Sequence, residues 1–154
     1  MSVALSSPPA ADRRNRLIGV ATFAGGSSRR VEATFRQVPG VIATTRGYTG
    51  GTVANPNHAR VATGTTGHAE AVRIEFDPAR VTYEELVELF WGLHDPTRAR
   101  LGRHSRFRSA IFVHSPEQER AAQEAVAAQE EVLGRPVLTE ICRAPLFYQA
   151  EALD

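Results

Sequence analysis

Between His68 and Phe76 the chain alternates between two faces, with loop and turn signals on either side. His68, Glu70, Val72, Ile74 and Phe76 share one face, and Ala69, Ala71, Arg73 and Glu75 share the other. A period of two describes a strand, and a strand with one strongly apolar face needs a second layer to cover it. The neighbouring segments supply candidates. Leu17 to Ala24 is apolar and β-branched and stops at Gly25-Gly26, which reads as a buried strand entering a tight turn. Ser27-Ser28 then precede Val31, Ala33, Thr34, Phe35 and Val38, a helix-start pattern that ends before Pro39-Gly40. Val41 to Tyr48 reads as a strand closed by Gly50-Gly51.

Downstream of Asp77-Pro78, Thr82-Tyr83-Glu84-Glu85 forms a capping box, and Leu86, Leu89, Phe90 and Leu93 follow on one helical face as far as His94-Asp95-Pro96. Ser109 to His114 is a strand. Ser115-Pro116-Glu117-Gln118 places a cap, a Pro at N1 and a Gln at N3 ahead of a helix running to about Leu133, and Val137 to Ile141 is a last short strand. The order β-α-β-β-α-β predicts an α+β fold with a ferredoxin-like core, extended by an added helix and a short strand.

The chain's 154 residues are expected to form a single domain over 16–154, after a disordered Ser/Pro/Ala-rich stretch over residues 1–15. That stretch lacks the apolar run of a secretory signal, and no window approaches a membrane span, so a cytoplasmic protein without a membrane partner is expected. All 18 basic residues are arginine, yet the formal net charge is only +1. Arg98, Arg100, Arg103, Arg106 and Arg108 crowd one loop with a single aromatic, Phe107, between them. A near-neutral chain with so little interleaving argues against a nucleic-acid partner. A solvated face, with one or two arginines serving an anionic substrate, accounts for the loop better. Cys142 is the one cysteine, which excludes an internal disulfide, and no Cys/His spacing suggests a metal. No cofactor is called for, and the sequence sets no oligomeric state.

Two places could carry chemistry. Parity turns Glu70 toward the core near a strand end, beside the irregular Gly/Thr/Asn-rich loop over 51–67. Desolvation disfavours the charged form of a carboxyl and suits it to proton donation near neutrality. The plain alternative is a carboxylate at the strand mouth, solvated or capping a loop amide. His68 shares that face, either at the site or as a structural hydrogen-bonder. The second place is the turn Gly25-Gly26-Ser27-Ser28, where a helix start offers free amides to an anion and Arg29 and Arg30 add charge. Its alternative is that a serine simply caps the helix.

These residues sit within a wider pattern. Ala21-Thr22-Phe23-Ala24-Gly25-Gly26, Gly47-Tyr48-Thr49-Gly50-Gly51, Gly67-His68-Ala69-Glu70-Ala71-Val72, His94-Asp95-Pro96-Thr97 and Arg108-Ser109-Ala110-Ile111-Phe112 together resemble the A-type peptide methionine sulfoxide reductases. The resemblance spans about residues 18–151. It implies that the family's Gly-Cys-Phe-Trp-Gly turn falls on Gly26-Ser27-Ser28-Arg29-Arg30, so that Ser27 stands at the nucleophilic cysteine and Ser28-Arg29 at the methyl-binding Phe-Trp pair. It implies that the proton-donating glutamate is Glu70 and the first pocket tyrosine Tyr48. The second tyrosine falls on Phe107, and Gly102 is nearest a family aspartate. Several positions thus change together, which reads as divergence rather than a single replacement.

The reading this favours is a repurposed enzyme doing non-redox acid/base chemistry on a polar or anionic small molecule, of the kind found in biosynthesis. Dehydration, cyclisation, isomerisation and hydrolysis all fit, with Glu70 as general acid and Tyr48 beside it. Ser27, Ser28, Arg29, His68 and Phe107 are the expected substrate contacts. A ligand-binding pseudoenzyme is one alternative. Residual methionine sulfoxide reduction is another, and Cys142 is a candidate nucleophile for it.

Overall fold

The structure is a computed structural model, and it describes residues 17–98 and 105–151. The expected disordered stretch over 1–15, and Gly102 with Arg100 and Arg103, lie outside the described residues. Strand β1 is Gly19–Gly25, helix α1 Ser28–Phe35, strand β2 Val41–Thr49, helix α2 His58–Ala62 and strand β3 Ala69–Phe76. Helix α3 is Tyr83–Trp91, strand β4 Ser109–Val113, helix α4 Pro116–Leu133, strand β5 Glu140–Arg143 and strand β6 Phe147–Gln149.

The six strands form one sheet in the order β5-β4-β1-β3-β2-β6. The inner four are antiparallel in the order β4-β1-β3-β2, the split β-α-β arrangement that the sequence order predicts. Strand β5 joins β4 in parallel, and β6 pairs antiparallel with β2. Phe23 stands opposite Val72, and Tyr48 opposite Glu70, so parity places all four side chains on one face.

That face is covered by helices. Phe23 lies 5.0 Å from Phe90, 5.5 Å from Phe35 and 6.2 Å from Tyr83 between ring centroids. Val31 and Phe35 of α1, Leu86, Val87 and Phe90 of α3, and Ala122 of α4 close the same core over Val72, Ile74 and Ile111. Burying each large apolar side chain there contributes about 1.5–3 kcal/mol before conformational entropy is counted. The other face carries a smaller cluster of Ala24, Ala69, Ala71, Ala110 and Phe112, with Phe147 and Ala144 packed against it.

Local signals decide the helix starts. Thr82 and Glu85 form the reciprocal capping box at α3, and Ser115 accepts from the Gln118 amide at α4. Three expectations need correction. The 51–67 loop contains α2, capped by Asn57. The last predicted strand lies later than Val137–Ile141, because the Val137 and Leu138 amides go to Glu130 Oε2 and to the Pro96 carbonyl instead of a ladder. Strand β6 was not anticipated, so two short strands rather than one flank the core. Gly47 admits β6, since a Cβ there would lie 2.4 Å from the Tyr148 carbonyl oxygen and 2.5 Å from the Phe147 ring.

Candidate functional site

The site opens where β1 ends and β3 begins. Glu70 is the second residue of β3, and its side chain lies on the helix-covered face beside Tyr48. Carried two residues on from the Phe23–Val72 pair, the register brings Gly25 to the level of Glu70. A glycine there adds no side chain to the space. Beyond it β1 turns away at Gly26, whose φ of 95° suits glycine. The Glu70 amide donates to the Arg106 carbonyl at 2.8 Å instead. That bond draws the segment 105–108 over the site and sets Arg106 and Phe107 at its rim.

The result is a cavity of about 390 Å³ lined by Ser27, Ser28, Arg29, Arg46, Tyr48, His58, Glu70, Arg106 and Phe107. Glu70, 7% exposed, is gripped from two sides. Its Oε1 accepts from both the backbone amide and the hydroxyl of Ser28, each at 3.2 Å. Its Oε2 lies 3.5 Å from Arg106 Nη1, and the Arg106 guanidinium stacks 4.2 Å from the Phe107 ring centroid. Arg46 donates its Nε–H to Ser28 Oγ at 3.4 Å, so one hydroxyl links Arg46 to Glu70. Tyr48 is buried and its hydroxyl donates to Glu151 Oε1 at 3.4 Å, while Glu151 Oε2 accepts from the His58 amide.

The free amide at the start of α1 is therefore taken by the protein's own carboxylate. Ser27 occupies the N-cap position but makes no side-chain cap bond, and the Ser28 hydroxyl faces Glu70. Arg29 is exposed and lines the cavity. Six of the seven expected site residues thus meet around one space. His68 does not line it. Its Nδ1 accepts from the Gly51 amide at 3.0 Å, which leaves Nε2–H to donate to the Val53 carbonyl at 2.7 Å. Both ring nitrogens fasten the 51–53 loop, the structural alternative read from the sequence.

Arg46 and His58 line the cavity without having been singled out. Arg46 had a signal, since it lies two residues before Tyr48 on the same strand face. The arginine-rich loop divides. Arg106 serves the cavity, whereas Arg108 is buried, donates to the Ser105 carbonyl at 3.0 Å and pairs with Glu140 at 3.5 Å.

Cys142 is far from this space. It stands opposite Phe112 on β5, so parity puts it on the face away from Glu70. Three strand spacings separate β5 from β3, about 14 Å. The side chain is exposed at the sheet edge, yet its thiol is pushed up by partial burial and by Glu140, against the pull of Arg108. Among the described residues no group of three or more His, Cys, Asp or Glu side chains could hold a metal ion, and no helix is long and apolar enough to cross a membrane.

The sequence model of the family "Peptide methionine sulfoxide reductase" matches residues 19–153. The chain belongs to that family. It is 45% identical to peptide methionine sulfoxide reductase MsrA of Geobacter sulfurreducens, covering 89% of this chain and 88% of that protein. It is 46% identical to the MsrA of Sulfolobus acidocaldarius, over 86% and 77% of the two chains. Among solved structures, methionine sulfoxide reductase A of Corynebacterium diphtheriae superposes with a TM-score of 0.75 at 33% identity, covering 87% and 70%. Reduced Mxr1 of Saccharomyces cerevisiae reaches a TM-score of 0.81 over 88% and 81%, at 24% identity, and so supports the fold.

These relatives overturn the expectation of non-redox acid/base chemistry. Those that match over most of the chain are named as sulfoxide reductases. Of the readings weighed from the sequence, residual sulfoxide reduction is the one they support.

Proposed function

We propose that this chain reduces methionine sulfoxide, with both electrons drawn from a dithiol outside the chain. The observation that carries the reading is Glu70, held at the cavity wall by Ser28 and Arg106 in a chain of the sulfoxide reductase family. The resemblance puts the family's nucleophilic cysteine at Ser27. An alcohol is a weak nucleophile at neutral pH, and an oxygen adduct would not be released by thiol exchange. Cys142 lies on the other face of the sheet with a thiol held up, so it does not attack in this cavity.

The chemistry then balances as follows. The sulfoxide oxygen binds beside Glu70 and Ser28 and takes a proton from the carboxyl group. An external thiol attacks the sulfur, the S–O bond breaks, and the oxygen leaves as water once a second proton reaches it. The second thiol attacks the first thiol's sulfur, which releases the thioether and a disulfide. Two thiols are oxidised and one sulfoxide is reduced. The chain contributes orientation, a proton at Glu70 and the positive field of Arg106 and Arg46 where oxygen charge builds. Tyr48 shapes the wall beside Glu70.

The test is dithiothreitol-dependent conversion of N-acetylmethionine sulfoxide to the thioether. Formation of thioether above the protein-free reaction is expected, matched by disulfide, and about a hundredfold slower in Glu70→Gln. A rate equal to the protein-free reaction, or one untouched by Glu70→Gln, would refute the reading.

A further inference from the structure

The two oxygens of Glu70 are held differently. Ser28 is 4% exposed, and its hydroxyl has one proton to give. Arg46 donates its Nε–H to Ser28 Oγ at 3.4 Å, and Ser28 Oγ donates to Glu70 Oε1 at 3.2 Å. With a lone pair of the hydroxyl taken by Arg46, its proton points at Glu70. The Ser28 amide reaches the same Oε1 at 3.2 Å. Oε1 thus faces two donors, whereas Oε2 lies 3.5 Å from Arg106 Nη1. An oxygen that accepts from two donors is a poor place for the carboxyl proton.

Strand β2 places Arg46 for this link. It stands two residues before Tyr48 and opposite Val72, on the face of Glu70. Away from the cavity it borders a hollow of about 200 Å³ together with Glu32 and Glu151. Glu32 Oε2 accepts from the Thr44 hydroxyl, and Glu151 accepts from Tyr48 and the His58 amide. Those two carboxylates offset the guanidinium charge, and what Arg46 brings to Glu70 is one directed N–H.

We infer that Arg46 is a positioning residue for Glu70. Through the Ser28 hydroxyl it fixes Oε1 in the cavity wall and leaves Oε2 as the oxygen that carries the proton. Without the Arg46 N–H, the hydroxyl is free to turn its proton away and set a lone pair against Oε1. The inference rests on the proposed role of Glu70 as the acid in sulfoxide reduction.

The first measurement needs no turnover. Ser28 is the first residue of α1, so its amide has no carbonyl one turn back in the helix and takes Glu70 as partner. Hydrogen exchange of that amide, read by NMR on the full chain, reports whether the carboxylate stays in place. Arg46→Met keeps a long side chain without the donor. It should speed Ser28 exchange about tenfold and leave the Val31 amide, bonded to the Ser27 carbonyl, unchanged. Arg46→Lys still presents an N–H and should stay within about threefold of wild type. Ser28→Ala removes the linking hydroxyl, so the amide at that position should also exchange about tenfold faster, which keeps the inference testable if Arg46→Met misfolds. The second measurement is turnover of N-acetylmethionine sulfoxide with dithiothreitol. Arg46→Met should lower kcat about tenfold with KM within about twofold, and should lower it no further in a Ser28→Ala background.

Unchanged exchange in Arg46→Met or in Ser28→Ala overturns the inference, as do kcat losses that multiply in the double variant. Faster exchange in both variants of a protein that shows no turnover upholds the hold of Arg46 on Glu70 and refutes the reductase reading, so the two failures are distinguishable.

Discussion

Acid should weaken this fold through His94. Its Nδ1 lies 3.2 Å from the Phe90 carbonyl oxygen and its Nε2 2.7 Å from Ser109 Oγ, which lies 2.7 Å from Thr139 Oγ1. A neutral imidazole satisfies the whole relay, with Nδ1–H donating to Phe90 and Nε2 accepting from Ser109. The ring packs 4.5 Å from the Phe90 centroid and directly over Gly25. Burial, chiefly, pushes its pKa down to about 4; Arg30 adds to this, while the Phe90 carbonyl and Asp95 oppose it. The unfolded chain takes its proton near the ordinary value of 6.5. Between those values the unfolded state binds more protons, so stability falls as pH drops from about 6.5 to about 4. At pH 4.5 the loss relative to neutral pH comes to about 2 kcal/mol for a partly buried ring. His114, also lowered mainly by burial, titrates with the same sign and is removed by comparison with a variant. Urea unfolding of wild type and His94→Asn at pH 7 and pH 4.5 gives the comparison. The stability advantage of wild type should shrink by about 2 kcal/mol on acidification. Parallel pH dependence of the two proteins would show that His94 takes up its proton equally readily folded and unfolded, and would refute its role in acid destabilisation.

Two further outcomes follow from the same corner. Gly25→Ala would set a Cβ 2.7 Å from Phe90 Cε1 and 3.2 Å from His94 Nδ1, and should cost about 1–3 kcal/mol in urea unfolding; a loss below 0.5 kcal/mol would mean that the corner gives way easily. A thiol placed at the turn by Ser27→Cys, in a Cys142→Ser background, should ionise below the free-cysteine value of about 8.5, because it sits at a helix start in a cavity rich in guanidinium. The pH dependence of its alkylation by iodoacetamide measures this, and an ionisation at or above 8.5 would contradict it.

Much of this corner is legible in the sequence because it depends on local rules. The alternation over His68–Phe76 sets which way Glu70 points, and the Gly25-Gly26 stop sets where β1 ends. The capping box at Thr82 and the Ser115-Pro116 start are equally local. What could not be read depends on distant partners. Strand β6 is three residues long and exists through pairing with Gly47 and Thr49, about a hundred positions earlier. Helix α2 is five residues long, too short to show a period. Arg106 sits in a loop without periodicity, and its place is set by the Glu70 amide reaching its carbonyl. His68 shows the limit of parity as a guide to function. It shares the sequence face of Glu70, yet the loop at Gly51 and Val53 claims both of its nitrogens.

The two faces of the sheet also bear on where electrons enter. A reductase needs a thiol within bonding distance of the sulfoxide sulfur, and distance along the sheet is not negotiable at about 4.8 Å per strand. The helix-covered face holds Glu70, Tyr48, Arg46 and Ser28 but no sulfur, and the only thiol of the chain is at the β5 edge of the other face. Moving Cys142 to Glu70 would require unpairing β5 from β4 and passing the core that Phe23, Ile111 and Phe90 fill. That rearrangement would sacrifice several buried aromatic and aliphatic side chains, each contributing about 1.5–3 kcal/mol, against a total fold stability of about 5–15 kcal/mol. The open mouth of the cavity, where Ser27 and Arg29 are exposed, is the easier route. On the proposed reading, a thiol arriving there would meet a sulfoxide whose oxygen lies beside Glu70, and the guanidinium groups around the cavity would favour the incoming sulfur as thiolate.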